Sequence, residues 1–110
     1  MPNLLLTATA VRVPVENCHS ESINIEFEDS FELYDIKLLL QNFPGIILAD
    51  DIENNIYPLA RKVNGNNEVF VGRIRRDFSV KNGINLWVVA DNIRKGAAAN
   101  AVQILDYLIN

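Results

Sequence analysis

Over residues 22–28 the side chains alternate, with Ile23, Ile25 and Phe27 on one side and Asn24, Glu26 and Glu28 on the other. A period of two predicts a half-buried strand and suits an antiparallel sheet with one wet face. Upstream, residues 4–13 are rich in Thr and Val and predict a strand that Pro14 ends or confines to an edge. The link 15–21 between them carries His19. The period then lengthens: Leu33, Ile36, Leu40 and Phe43 recur at helical spacing, with Ser30 as the expected cap and Pro44-Gly45 as the stop. Residues 46–49 form a short apolar run and predict a strand. Residues 50–67 are polar, carry Asn54-Asn55, Pro58 and the turn signal Asn64-Gly65-Asn66-Asn67, and predict a long connection without its own core. A strand over 69–76 follows, in which Gly72 marks a close backbone approach. Asn82-Gly83 signals a turn into a partner strand over 84–89. Asp91 is the expected cap of a last helix, whose stripe is Ile93, Ala97, Ala101, Ile104, Leu105 and Leu108. The run Gly96-Ala97-Ala98-Ala99 lets that helix lie close to another element or a ligand. The order β-β-α-β-β-β-α predicts an α+β domain, a mostly antiparallel sheet with helices on one face.

With 110 residues, 49% of them apolar, the chain forms one domain with a real core. A net charge of −4 gives no electrostatic case for nucleic acid. The charge is uneven: residues 1–55 hold ten acidic and two basic side chains, residues 56–110 four acidic and eight basic. Two solvated faces explain this, and so does a docking face or an anion site. Arg73, Arg75 and Arg76 form a basic strand, with Arg73 and Arg75 on one face. They lack the aromatic interleaving of an RNA-binding sheet and are read as partners for the acidic half or for a dimer interface. One cysteine excludes an internal disulfide, no run approaches membrane-spanning length, and no signal peptide is visible, so the expected compartment is the cytoplasm. No metal-ligating pattern is present, and no glycine-rich dinucleotide fingerprint.

The candidate chemistry gathers near the start. His19 is the single histidine, and imidazole suits proton transfer near neutral pH. Arg12, seven residues earlier, offers a planar fork for carboxylate or phosphate. Together they make an anion clamp beside an acid–base group; a surface histidine and an arginine paired with a carboxylate such as Glu26 are the plainer alternative. Cys18 is read as a packing residue, because neighbours on an extended segment face opposite ways and share no proton. Trp87 is assigned to the core by default.

Four blocks in order resemble aspartate-β-semialdehyde dehydrogenases. They are Thr9-Ala10-Val11-Arg12-Val13-Pro14-Val15, His19-Ser20-Glu21-Ser22, the stretch 68–77 beginning Glu68-Val69-Phe70, and the stretch 85–98 beginning Asn85-Leu86-Trp87. Asn100-Ala101-Val102-Gln103-Ile104 continues the match, which spans nearly the whole chain. The resemblance implies NADP-dependent reductive dephosphorylation of β-aspartyl phosphate to aspartate semialdehyde, on the route to lysine, methionine and threonine. It implies that His19 is the acid–base catalyst, that Arg12 binds the substrate carboxylate, and that Asn92 approaches the nicotinamide carboxamide, with Gly96 admitting the cofactor. Without the resemblance, Asn92 reads as a second cap beside Asp91. The nucleophilic cysteine block and the nucleotide-binding half lie upstream in such enzymes and are absent here. Residues 1–110 are therefore expected to be a C-terminal piece of the catalytic and dimerisation domain, inactive alone. Its expected partners are the missing N-terminal half, a second copy and a small-molecule substrate, with neither nucleic acid nor membrane. Residues 91–110 would be the helix that packs on the missing half. The alternative is a free-standing α+β anion-binding or regulatory module.

Overall fold

The computed structural model describes residues 4–109. Four strands form one sheet in the order β1-β4-β3-β2: β1 His19–Glu26, β2 Ile46–Leu48, β3 Val69–Asp77 and β4 Gly83–Ala90. β4 runs antiparallel to both β1 and β3, and β2 parallel to β3. Helix α1, Leu33–Asn42, packs on one face, where Leu33, Ile36 and Leu40 meet Val71, Ile74 and Ile84. The four-residue helix α2, Ala60–Val63, covers part of the other face: Val63 and Ala60 pack with Cys18, Val89, Phe70 and Trp87. The expected α+β class with a mostly antiparallel sheet is the architecture found.

Several elements depart from the sequence pattern. Residues 4–18 are irregular, and 4–16 are exposed, with Leu5 97% accessible, instead of a strand over 4–13. High β-propensity makes a strand only where a ladder partner is available, and β1 here pairs only with β4. β1 begins at His19, earlier than the alternation suggested, so His19 belongs to a strand end instead of the preceding link. The cap of α1 is Glu32, not Ser30, and it makes no side-chain cap bond. The polar connection is not coreless: it contributes Val63, 1% exposed.

The largest departure is at the C-terminus. The helix expected from Asp91 is broken at Lys95-Gly96-Ala97, where Gly96 takes φ 81° and Ala97 φ −133°, ψ −117°. Helix α3 runs over Ala99–Ile109, and none of its residues is buried. The pattern makes Gly96 a small residue inside a helix; at positive φ it is instead part of the break after β4. Ile93 and Ala97 thus leave the stripe.

β3 carries a bulge between Gly72 and Arg75. Arg73 within it has φ 56°, and its N–H donates to Asp50 Oδ1 at 2.6 Å. The other Asp50 oxygen meets Lys37 Nζ of α1 at 2.7 Å, so one buried carboxylate ties β2's exit, the helix and the bulge.

Candidate functional site

The register brings two of the candidate residues to one end of the sheet. His19, the first residue of β1, pairs with Ala90, the last of β4, and Asn92 follows two residues later. Val69, the first residue of β3, pairs with the same Ala90. The starts of β1 and β3 and the end of β4 therefore converge at one end of the sheet.

A local backbone feature aims His19. Cys18 sits at φ 76°, a left-handed position unusual for a residue with a β-carbon. The thiol turns inward, 5% exposed, and donates to the Ala60 carbonyl at 3.4 Å, while His19 is exposed. The two side chains do part company as expected, though by this left-handed turn and not by strand alternation. Burial, and then the negative charge of Asp91, pushes the Cys18 pKa above its ordinary 9.0. The thiol stays protonated at neutral pH, which removes it as a nucleophile.

Asn92 is half-buried, and its side-chain amide has no hydrogen-bond partner among the described residues. Gly96 has nothing within 4 Å of where a β-carbon would stand. Arg12 lies on the irregular exposed stretch, and the structure brings it into no hydrogen bond or ion pair with His19 or Glu26 among the described residues. No cluster of His, Cys, Asp and Glu able to hold a metal occurs among them. None of their helices is long and apolar enough to cross a membrane.

The residue that sequence reasoning undervalued is Asp91. It caps the turn after β4, accepting from Ile93 N–H at 2.9 Å, but it also accepts from Gly65 N–H at 2.8 Å. It is 3% exposed. The Gly65 bond and its other backbone bonds hold its carboxyl below the ordinary carboxylate value. The available signal was an acid directly before a candidate asparagine at the end of an apolar strand.

A separate open groove of about 660 Å³ lies on the sheet face away from α1 and contains none of the four candidates. Its lining includes Ser20, Ser22, Tyr57, Arg73, Arg75 and Trp87. Trp87 is not simply core: its Nε1–H donates to the Pro58 carbonyl at 3.1 Å. Arg73 lies over the Tyr57 ring, Arg75 donates to the Arg73 carbonyl, and Arg76 stacks on Phe31 on the α1 side and donates to its carbonyl. The three arginines thus end on rings and carbonyls, Arg76 on Phe31 of the acidic half.

Residues 1–95 match the family described as semialdehyde dehydrogenase, dimerisation domain. The chain belongs to the semialdehyde dehydrogenase family. Aspartate-semialdehyde dehydrogenase of Aquifex aeolicus is 50% identical over 107 residues, covering 97% of this chain and 32% of that protein. The enzyme of the same name from Bacillus subtilis is 50% identical over 109 residues, covering 98% and 32%. The crystal structure of aspartate semialdehyde dehydrogenase II from Vibrio cholerae superposes with a TM-score of 0.82 at 42% identity, over 89% of this chain and 29% of that one. The chain spans about a third of the length of the curated relatives it matches.

Proposed function

We propose that this semialdehyde dehydrogenase segment is the C-terminal part of an NADP-dependent enzyme that interconverts β-aspartyl phosphate and aspartate semialdehyde. The observation that carries the reading is the ladder pair His19–Ala90, which sets an exposed imidazole beside the turn of Asn92. The dehydrogenase relatives, matched along nearly the whole chain, favour this enzyme over a free-standing anion-binding module. His19 takes a proton as the cysteine-bound substrate is oxidised and returns it in the reductive direction. Arg12 fixes the substrate carboxylate once the remaining protein orders residues 4–18 around it. Asn92 offers its amide to the nicotinamide carboxamide, and the space at Gly96 admits it. NADP, when bound, supplies hydride transfer. The nucleophilic cysteine and the nucleotide-binding half come from outside these 110 residues.

Two partners follow. The exposed apolar side of α3, with Ile104, Leu105 and Leu108, seats against the nucleotide-binding half. The sheet face bearing Tyr57, Arg73, Arg75 and Trp87 meets a second copy: aromatic residues and arginine are the types enriched at interface centres. The test is to assay the purified chain with aspartate semialdehyde, phosphate and NADP, alone and after supplying a nucleotide-binding half bearing the cysteine. NADPH formation only in the second case is expected. Turnover by the chain alone, or none when complemented by a half that binds it, would overturn the reading.

A further inference from the structure

The Asp91 carboxylate does more than a helix cap needs. One oxygen takes the N–H of Ile93, closing a ring around the Asn92 peptide; the other takes the N–H of Gly65, contributed by the connection between α2 and β3. The Asp91 carbonyl takes two further bonds, from Arg94 N–H at 3.1 Å and Lys95 N–H at 2.7 Å. Close by, Arg94 Nη1 donates to Asn67 Oδ1 at 3.0 Å, a second tie between the same two segments. Asn92 is enclosed by these bonds on the backbone, yet its own amide is left uncommitted.

We propose that Asp91 is a positioning residue for cofactor binding: it clamps the turn after β4 to the Gly65 turn, and so fixes the direction in which Asn92 presents its amide. This rests on the reading of Asn92 as the carboxamide contact. Asp91 itself is buried, and its two carboxylate oxygens are taken by the N–H groups of Ile93 and Gly65. An Asn at position 91 retains one acceptor and opposes its NH2 to the other N–H, so Asp91→Asn removes one of the two clamps. A Ser there still caps Ile93 but does not reach Gly65. Losing a hydrogen bond to a charged acceptor corresponds to roughly a tenfold change in an equilibrium.

The experiment uses the full-length dehydrogenase carrying this segment, with Asp91→Asn, Asp91→Ser, Asn92→Ala and the double variant Asp91→Asn/Asn92→Ala. Both Asp91 variants are expected to raise KM for NADP about tenfold, while KM for aspartate semialdehyde and kcat stay within about threefold. A fold defect would lower kcat through the active fraction and leave this split unmade. The double variant should show no more than the Asn92→Ala effect, because Asp91 acts through Asn92. Additive effects, or an unchanged KM for NADP in Asp91→Ser, overturn the positioning role while the cofactor role of Asn92 stands. An unchanged KM for NADP in Asn92→Ala overturns the cofactor reading itself, and the proposal with it. In the 110-residue chain, Asp91→Asn should also speed amide exchange at Gly65 or Ile93 about tenfold; full protection at both would overturn the clamp.

Discussion

Gly72→Ala is expected to cost the fold about 2–3 kcal/mol, far more than one methyl group suggests. A β-carbon at residue 72 would stand 2.1 Å from the Ala49 carbonyl oxygen and 2.7 Å from Pro58 Cδ. The nearest obstacle is main chain, so no rotamer change relieves it. Ala49 N–H donates to the Val71 carbonyl at 2.8 Å, one residue away, so pushing the two segments apart also breaks the bond that extends the parallel β2–β3 pairing. Overpacking costs roughly 1–3 kcal/mol, and the lost hydrogen bond about 1 kcal/mol more. Against this, alanine's narrower unfolded ensemble returns about 0.4–1 kcal/mol. The measurement is urea unfolding followed by the single tryptophan, Trp87, whose indole bonds to Pro58 beside the clash. The midpoint should drop at constant m-value. Gly65→Ala is the control: its β-carbon meets nothing within 4 Å, so only the strain of φ 86° applies. A Gly72→Ala midpoint equivalent to less than about 0.5 kcal/mol of loss, the range of an ordinary surface change, would refute the reasoning.

In the full-length enzyme, His19→Ala should lower kcat by roughly 10²–10⁴-fold in steady-state assay, and Arg12→Lys should lower kcat/KM for aspartate semialdehyde because lysine lacks the planar fork. Cys18 should resist thiol reagents at neutral pH in the folded chain and react at the model-thiol rate in denaturant; fast labelling without unfolding would contradict its burial. Asp51, Asp77 and Asp91 all have carboxyls held below 3.8, chiefly by hydrogen bonds from Asn54, Ser79 and Gly65 respectively. Their stabilisation is therefore full above the unfolded value and falls away as pH drops from there through the depressed folded values; acid titration by fluorescence should show stability falling as pH drops below 3.8, and unchanged stability there would contradict these bonds. Ending the chain after Ala97 should leave the sheet's unfolding midpoint unchanged, since no α3 residue is buried.

What the sequence revealed follows from where its signals were local. Helix α1 was legible because an apolar stripe and a Pro-Gly stop agree, and the β3–β4 hairpin because Asn82-Gly83 punctuates two apolar runs. Gly72 announced its close approach, which the Ala49 carbonyl confirms. The strand expected over 4–13 failed because a strand is half of a pairing, and propensity says nothing of the other half. The last helix failed at Gly96 because alanine and glycine are both small, and only a backbone angle separates a packing glycine from a turning one. At the site, the conjunction of His19 and Asn92 depends on register, which no single segment encodes. The left-handed Cys18 and the second bond of Asp91 lie beyond any periodicity.

The break at Lys95-Gly96-Ala97 makes a joint of what would have been a rigid spoke. The family match stops at residue 95, where that joint begins. Beyond it, the eleven residues of α3 form a lever about 16 Å long, at 1.5 Å per residue. Turning the lever changes a few dihedrals at Gly96 and disturbs no rung of the ladder. One side-chain bond spans the joint, from Lys95 Nζ to Gln103 Oε1 at 2.9 Å. The arm starts beyond Gly96, while the Asn92 turn stays tied to the sheet side through Asp91.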